Sequence, residues 1–234
     1  INDIRIGDLS PAEHEKIEMD KGGRNYKPLE NVVVSHVKDS STLICRKPSE
    51  NGVTSYVEEE LIDGLCCYSA VNQGQLNKTI VDAVVKHLTE EKLPTVPRSI
   101  RHKYMGAFLI AATGITEMDR VVPKVAGTEA PELMFKLSRR WGYEVKGIPE
   151  NEAIIVAANG NFHGRTLTAV SMSDDPCARK NFGPFIKGIE LVQFNDFDAL
   201  KSLFESKADK IASFLVEPIQ GEAGVIIPDD DYWP

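Results

Sequence analysis

A regular alternation of helical and strand patterns after Arg120 is the feature that most limits how this chain can fold. Residues 128–141 carry apolar side chains at helical spacing, and AIIVAAN at 153–159 is a continuous apolar run of strand length. The alternation goes on with a strand pattern at IELVQF, a helical pattern around Leu200, Leu203 and Phe204, and a strand pattern at IASFLVEP. This order is typical of βαβ units, with parallel strands in one sheet and helices on both of its faces. We therefore predict an α/β fold with a mostly parallel sheet.

The boundaries of the helix at 128–141 follow from its residues. Gly142 comes directly after the last apolar position, and because glycine often ends helices we expect this one to stop there. A short β-branched run, VVPKV, precedes the helix. One helical face collects the apolar residues Ala130, Leu133, Met134, Leu137 and Trp141.

The first part of the chain has weaker patterns. We predict a capped helix in SPAEHEKIEM starting at Ser10 and a strand in NVVVSHV, whereas 38–52 is turn-rich and shows no clear period. From Lys78 apolar residues recur at helical spacing until a segment with two prolines. We assign 1–65 to an N-terminal arm and part of a small domain, and 66–234 to an incomplete large domain.

Charge and apolar runs limit the class of partner. With 35 acidic and 27 basic residues the formal net charge is -8, and no long basic run suits nucleic acid or an anionic membrane. The apolar runs are far too short to span a bilayer, and the N-terminus lacks the apolar core of a signal peptide. We therefore expect an intracellular protein, in the cytoplasm or the mitochondrial matrix, that acts on a small molecule and binds neither nucleic acid nor membrane.

The cysteines give no support for a metal site. Paired CxxC spacing and a nearby histidine pair, which zinc sites use, are both missing from the sequence. We expect no metal and reduced thiols at Cys45, Cys66, Cys67 and Cys177.

Ligands of open α/β sheets bind beyond the carboxyl ends of the strands, so unusual loops there are candidate sites. The first such loop, VAGTEA at 125–130, opens a helix. Gly127 permits close approach of the backbone, and Thr128 adds a hydroxyl to the free N–H groups of the helix start, which together suit an anion. An ordinary helix start, capped by Thr128 with Glu129 complementing the dipole, explains the same residues, and on these residues alone it is favoured.

The second loop is NGNFHGRT at 159–166. The rings of Phe162 and His163 lie between glycines, and the guanidinium of Arg165 follows, a group able to bind a carboxylate through two parallel hydrogen bonds. A loop with a half-buried phenylalanine and a solvated arginine is an equal alternative.

The third loop, VEPIQGEAG at 216–224, follows an apolar strand directly. It places the carboxylates of Glu217 and Glu222 where charge is costly unless it is paired. A structural ion pair with an arginine explains them equally. The carboxylate pair of a retaining glycosidase is a further alternative, but no sugar-binding context supports it.

Taken together, these segments resemble ornithine aminotransferases of the class III, fold type I group. The resemblance is dense from about Ser138 to Tyr232 and is carried by ordered motifs: GNFHGRTLTAVSMS, FGPF, VEPIQGEAGVIIPDDDY and RRWGYEVKGIPEN, with NYKPL and YSAVNQG upstream. It implies that 66–234 is an incomplete large domain of a fold type I enzyme that binds pyridoxal 5'-phosphate.

The resemblance also implies roles for single residues around the cofactor. Gly127 and Thr128 are expected to hold the phosphate group, Phe162 is expected to stack on the pyridine ring, and His163 is expected to contact the cofactor. Arg165 is expected to bind a carboxylate of the substrate.

Four further residues resemble family residues around the substrate. Tyr26 and Tyr68, in NYKPL and YSAVNQG, resemble tyrosines that line the ornithine side of the pocket. Glu222 resembles the glutamate that pairs with a second arginine and so decides whether ornithine or glutamate is accommodated. Glu217 resembles part of the supporting shell behind the ring.

The activity that the resemblance implies is transfer of the δ-amino group of ornithine to 2-oxoglutarate, with amino acid and 2-oxo acid substrates in a homodimer. The residues given end before the family's Schiff-base lysine, so we expect no catalytic residue in this chain and no activity of it alone. An alternative of another class is a non-catalytic homologue that works by binding an aminotransferase subunit. The coding sequence beyond Pro234 separates the two, since a downstream lysine in frame indicates the enzyme.

Overall fold

The computed structural model describes residues 9–23, 32–49 and 52–233 of the chain. The chain divides into two compact units, 1–102 and 103–234. The domain boundary after residue 65 that the sequence suggests stays a prediction.

Among its described residues, the first unit has two helices and a three-stranded antiparallel sheet of order β1-β2-β3. The first helix begins at its cap Ser10, which exchanges hydrogen bonds with Glu13, and this confirms the predicted helix start. The predicted strand in NVVVSHV and the predicted helix from Lys78 also form. The elements are α1 (Pro11–Lys21), β1 (Val33–Val37), β2 (Thr42–Ser49), β3 (Gly52–Ile62) and α2 (Lys78–Thr89).

Strand β2 corrects the turn-rich interpretation of residues 38–52. Its ladder with β3 places Arg46 opposite Glu58, and the two side chains form an ion pair with 3.7 Å between Nε and Oε1. Lys47 likewise pairs with Glu59. Cross-strand pairing of opposite charges stabilises a sheet, and because each partner lies on another strand, the period of β2 alone does not reveal it.

The second unit is an α/β layer around a three-stranded parallel sheet of order β5-β4-β6. The predicted strands at AIIVAAN, IELVQF and IASFLVEP all form, and the predicted helix between the last two also forms. The elements are α3 (Met105–Thr116), α4 (Glu129–Glu144), β4 (Ile154–Ala158), α5 (Leu167–Met172), α6 (Pro176–Arg179), β5 (Ile189–Val192), α7 (Phe197–Lys207) and β6 (Ile211–Leu215).

The central strand β4 is covered on both faces. Ile155 and Ala157 pack with Phe135 of α4 and Met172 of α5, whereas Val156 packs on the opposite face with side chains of α7. These three residues of β4 are fully buried, and burying a side chain as large as valine or isoleucine contributes about 1.5–3 kcal/mol. The prediction of a mostly parallel sheet with helices on both faces is therefore confirmed.

Gly142 does not end helix α4, contrary to the prediction. The helix continues to Glu144, and Gly142 is buried because it lies against the sheet, where an added Cβ would be 3.1 Å from the Cβ of Ala212. The left-handed position after the helix belongs to Gly147, at φ +78°. Glycine at 142 therefore serves close packing of the helix on β6.

Helix α3 is an element that the sequence patterns did not predict. It has no charged residue along its length, and its side chains at Phe108, Ile110 and Ile115 are 48%, 77% and 84% exposed. The run VVPKV before α4 forms no strand. Proline within that run has no N–H to donate to a neighbouring strand.

No helix in the part of the chain that the structure describes is both long and apolar enough to cross a membrane.

Candidate functional site

Two of the three candidate loops follow neighbouring strands, and the third, 125–130, leads into α4 and contacts the loop after β4. Strands β4 and β6 are parallel neighbours, so the loops that follow them leave the same edge of the sheet. The backbone N–H of Phe162, after β4, donates to the carboxylate of Glu217, after β6, with 3.0 Å between N and Oε2. Two segments that are far apart in sequence are thereby joined at one site.

The start of α4 joins the same site through Thr128. Its hydroxyl makes no capping hydrogen bond and instead donates to the carbonyl oxygen of His163 at 3.1 Å. The next residue, Gly164, has φ +112°, and an added Cβ would be 2.2 Å from the Thr128 hydroxyl oxygen. The alternative in which Thr128 is an ordinary helix cap is therefore wrong.

The two residues before α4, Gly127 and Thr128, border open space at the start of the helix. Gly127 is exposed, and an added Cβ on it would meet no atom within 4 Å. Within the described ranges, the N–H groups of Gly127 and Thr128 have no hydrogen-bond acceptor. Free N–H groups at the positive end of a helix dipole favour a negatively charged group such as phosphate.

The aromatic loop after β4 presents one exposed ring and one buried ring. The side chain of Phe162 is 41% exposed, and His163 is buried. Burial lowers the pKa of His163 below its ordinary value of 6.5, although the charge of Glu217 and the carbonyl of Leu215 act in the opposite direction. At neutral pH the imidazole is therefore uncharged. Its Nε2 atom is buried without a hydrogen-bond partner among the described residues.

Glu217 is held by backbone N–H groups. Besides Phe162, its carboxylate accepts a hydrogen bond from the N–H of Gly221, at 3.4 Å from Oε1. The carboxylate thus holds the backbone of Phe162 in place.

The predicted substrate residues belong to different parts of the chain. Arg165 is exposed in the aromatic loop, directly before the cap of α5. Glu222 is exposed in the turn after β6. Tyr68 belongs to the first unit, where its side chain is 73% exposed, and Tyr26 lies outside the described residues.

Two buried polar residues that support these loops, Asn161 and Gln220, were not predicted from the sequence. Asn161 is buried and donates from Nδ2 to the carbonyl oxygens of Ala158 and Met172, each at 2.6 Å. Gln220 is 1% exposed and donates from Nε2 to the carbonyl of Asn159 at 2.7 Å. The sequence signal for both was a side-chain amide directly beside a glycine in a loop after an apolar strand.

Comparison with known proteins gives a consistent family. Residues 34–234 match the family described as Aminotransferase class-III. The ornithine aminotransferase of Emericella nidulans is 40% identical over 231 residues, which cover 95% of this chain and 48% of the relative. The mitochondrial ornithine aminotransferase of Arabidopsis thaliana is 46% identical over 187 residues, which cover 78% of this chain and 38% of the relative. The chain spans about half the length of the first of these relatives.

Solved structures agree in fold. The ornithine aminotransferase of Toxoplasma gondii superposes with a TM-score of 0.82 at 31% identity, over 95% of this chain and 49% of that chain. An acetylornithine aminotransferase of Elizabethkingia anophelis superposes with a TM-score of 0.74 at 37% identity, over 95% of this chain and 50% of that chain. A second T. gondii structure is described as having partial occupancy of PLP at its active site. The chain therefore belongs to the class-III aminotransferases and has the α/β fold of their fold type I enzymes.

Proposed function

We propose that the protein containing these residues is an ornithine aminotransferase. It transfers the δ-amino group of ornithine to 2-oxoglutarate and so produces glutamate semialdehyde and glutamate. The observation that carries this proposal is the convergence of three loops on one site, through the hydrogen bonds Thr128–His163 and Phe162–Glu217. The relatives named ornithine aminotransferase support the choice of substrate.

The residues at the site fit pyridoxal 5'-phosphate, the cofactor of class-III aminotransferases. The open cradle at Gly127 and Thr128 has free N–H groups for a phosphate, and the exposed face of Phe162 offers a flat apolar surface for a pyridine ring. His163 follows Phe162 in the chain, and its carbonyl oxygen accepts the hydrogen bond from Thr128. Its imidazole is uncharged at neutral pH. The cofactor, when bound, supplies an electron sink for the charge that develops on the substrate.

The roles of the chain's own residues in turnover follow from their positions. Glu217 holds the backbone of Phe162, and Thr128 holds the backbone of His163, so both aromatic residues keep a fixed orientation. We assign Arg165 to the substrate carboxylate, because an exposed guanidinium at the mouth of the loop can make a bidentate contact. Glu222 is assigned to selection between ornithine and 2-oxoglutarate.

Two tyrosines are assigned to the ornithine side of the pocket. Tyr26 and Tyr68 carry this role by their resemblance to family tyrosines in NYKPL and YSAVNQG.

We also propose that the protein assembles as a homodimer. Apolar side chains along α3 are exposed in this chain, and a surface of this kind is typical of a subunit interface. Two plant relatives are named as mitochondrial enzymes, which supports a location inside the cell, in the mitochondrial matrix or the cytoplasm.

The two half-reactions of the full-length protein test the proposal. Purified protein loaded with pyridoxal 5'-phosphate is mixed in single turnovers with ornithine, with N-acetylornithine and with glutamate, and the cofactor absorbance is followed. We expect ornithine to react faster than N-acetylornithine and to yield glutamate semialdehyde, trapped as an aromatic adduct. Faster reaction of N-acetylornithine would reassign the substrate, and absence of cofactor binding would reject the assignment of the site.

A further inference from the structure

Gln220 is a buried amide in the middle of the exposed loop that carries Glu222. Its side chain is 1% exposed, although Ile219 and Glu222 on either side are exposed. A buried amide is costly unless it is hydrogen-bonded, and Gln220 meets this requirement through a bond of 2.7 Å from Nε2 to the carbonyl oxygen of Asn159. The amide therefore connects the loop after β6 to the end of β4.

The backbone of Gln220 closes a small hairpin. Its N–H donates to the carbonyl of Ile226 at 3.0 Å, and its carbonyl accepts from the N–H of Ile226 at 2.8 Å. Inside this pair, the N–H groups of Gly224 and Val225 both donate to the carbonyl of Gly221 at 3.1 Å. Glu222 lies within the turn that these bonds define.

The opposite end of the connection is the start of the loop after β4, which carries Phe162. Gly160 follows the acceptor residue Asn159 and has φ +75°, and an added Cβ would be 3.2 Å from Oε1 of Gln220. The N–H of Gly160 donates to Asp174 at 2.9 Å. Phe162 is two residues after Gly160. The Gln220 amide therefore binds the same short segment of backbone that carries Phe162.

Glu217 makes a second connection between the same two loops, but at a different point. It binds the N–H of Phe162 at the base of the loop after β6, before the hairpin begins. The hairpin itself is tied to the β4 loop through Gln220. Glu217 also reaches the hairpin, through a longer bond of 3.4 Å from the N–H of Gly221 to Oε1. Loss of Gln220 therefore leaves the backbone of Phe162 anchored and leaves the hairpin that carries Glu222 tied to the β4 loop through that longer bond.

We infer that Gln220 is a positioning residue that fixes the hairpin 220–226 relative to the loop of Phe162 and thereby sets the preference between the two amino-acid substrates. The inference rests on the proposed function, in which Glu222 selects between ornithine and 2-oxoglutarate. Gln220 itself touches neither substrate nor cofactor in this role. Its effect is transmitted through the placement of Glu222.

Two variants of Gln220 and one control test the inference in the full-length protein. Gln220→Met keeps the length of the side chain but has no donor, and Gln220→Glu has a donor only when its carboxyl is protonated. Ser171→Ala is the control, because Ser171 is also buried in the second unit, while its hydroxyl accepts from the N–H of Ile186 and donates to the carbonyl of Leu167, both outside 159–166 and 220–227.

The first measurement is amide hydrogen exchange of peptides covering 159–166 and 220–227. We expect Gln220→Met to increase exchange in 220–227 about tenfold, since one buried hydrogen bond and the group it leaves unpaired are worth about 1–2 kcal/mol. For Gln220→Glu, exchange corrected for its intrinsic pH dependence should return toward the wild-type value as pH falls. A uniform increase over the whole unit, equal to that of Ser171→Ala, would overturn the inference.

The second measurement is the ratio of the ornithine and glutamate half-reaction rates. We expect Gln220→Met to change this ratio at least threefold, with cofactor affinity within a factor of two of wild type, whereas Ser171→Ala leaves the ratio unchanged. An unchanged ratio in Gln220→Met, with Glu222→Ala altering it, would overturn the role of Gln220 and leave the proposed function intact. Absence of reaction of the wild-type protein with ornithine would instead overturn the proposed function together with this inference.

Discussion

The hydroxyl of Thr128 lies 3.1 Å from the carbonyl oxygen of His163, to which it donates a hydrogen bond. This bond joins the first turn of α4 to the aromatic loop after β4. The hydroxyl has one hydrogen, and it is used in this contact, so under the proposed function a bound phosphate would receive backbone N–H groups from Gly127 and Thr128. The Thr128 side chain thus ties the start of α4 directly to the aromatic loop.

Removal of this hydroxyl should weaken the second unit. Thr128→Val keeps the shape of the side chain but leaves the His163 carbonyl without its donor, and we expect the free energy of unfolding to fall by about 1 kcal/mol. Thr128→Ser keeps the donor and should lose less. Denaturant unfolding of the two variants beside wild type measures the difference, and equal stability of the valine and serine variants would show that the bond contributes nothing.

Two glycines at the site should respond differently to alanine. In Gly164→Ala the new Cβ would clash with Thr128 and require φ +112°, so we expect a loss on the order of 1–3 kcal/mol in unfolding free energy. Gly127→Ala has open space and no left-handed φ, so its stability should change by less than about 0.5 kcal/mol. Cofactor affinity, by contrast, should fall in Gly127→Ala because the methyl group enters the cradle. Equal destabilisation by both substitutions would contradict this geometry.

Stability should fall in mild acid because of His163. Its pKa is lowered by burial, so below its ordinary value of 6.5 the unfolded chain takes up a proton that the folded chain resists. The stability present above pH 6.5 is therefore lost as pH falls toward the folded-state pKa. His163→Gln removes the titrating group and should flatten the pH dependence of unfolding in this window. An unchanged slope would assign the acid sensitivity to other groups.

The sheet was predictable from sequence because its signal is local. The run that forms β4 is apolar throughout, and β5 and β6 are short segments rich in apolar residues. Helix α4 was predictable as a helix, but its packing face was not. Met134, Leu137 and Trp141 are 48%, 45% and 47% exposed, whereas Phe135 is 3% exposed and packs on the sheet. Periodicity identifies an apolar face without stating what that face contacts.

The candidate site was predictable as three loops and not as a set of contacts. Each loop carried its own alternative explanation, since the partner of every key group lies on another loop. The acceptor for Thr128 is 35 residues away, and the carboxylate for the N–H of Phe162 is 55 residues away. Contacts at such separations depend on the strand order, which no local pattern contains.

Arg165 should act on substrate binding more than on cofactor binding. If its guanidinium binds a substrate carboxylate, Arg165→Lys loses the bidentate contact, which is worth on the order of 2 kcal/mol when desolvated. The Michaelis constant of the full-length enzyme should then rise about thirtyfold. Cofactor affinity, measured by fluorescence titration, should stay near the wild-type value. Parallel loss of cofactor affinity would show that Arg165 supports the loop instead.

Glu222 should control the choice between the two amino-acid substrates. Ornithine presents an amine where glutamate presents a carboxylate, so a carboxylate at this position favours the first and disfavours the second. Glu222→Ala should therefore speed the glutamate half-reaction relative to the ornithine half-reaction and favour transfer of the α-amino group over the δ-amino group. Single-turnover absorbance of both half-reactions measures the ratio. A ratio equal to wild type would reduce Glu222 to a surface charge.

Gly142 packs against Ala212 of β6 near the C-terminal end of α4, at the opposite end of the helix from the candidate site. Gly142 lies 14 residues beyond Thr128, which is about 21 Å along a rigid helix that rises about 1.5 Å per residue. The room between helix and strand at that contact is less than one methyl group. A methyl group at 142 requires Ala212 or Ile148 to shift, and any rotation of the helix about this contact would displace its opposite end, where Gly127 and Thr128 lie. The side-chain volumes at positions 142 and 212 are thus coupled, so that a larger side chain at one position requires a smaller one at the other.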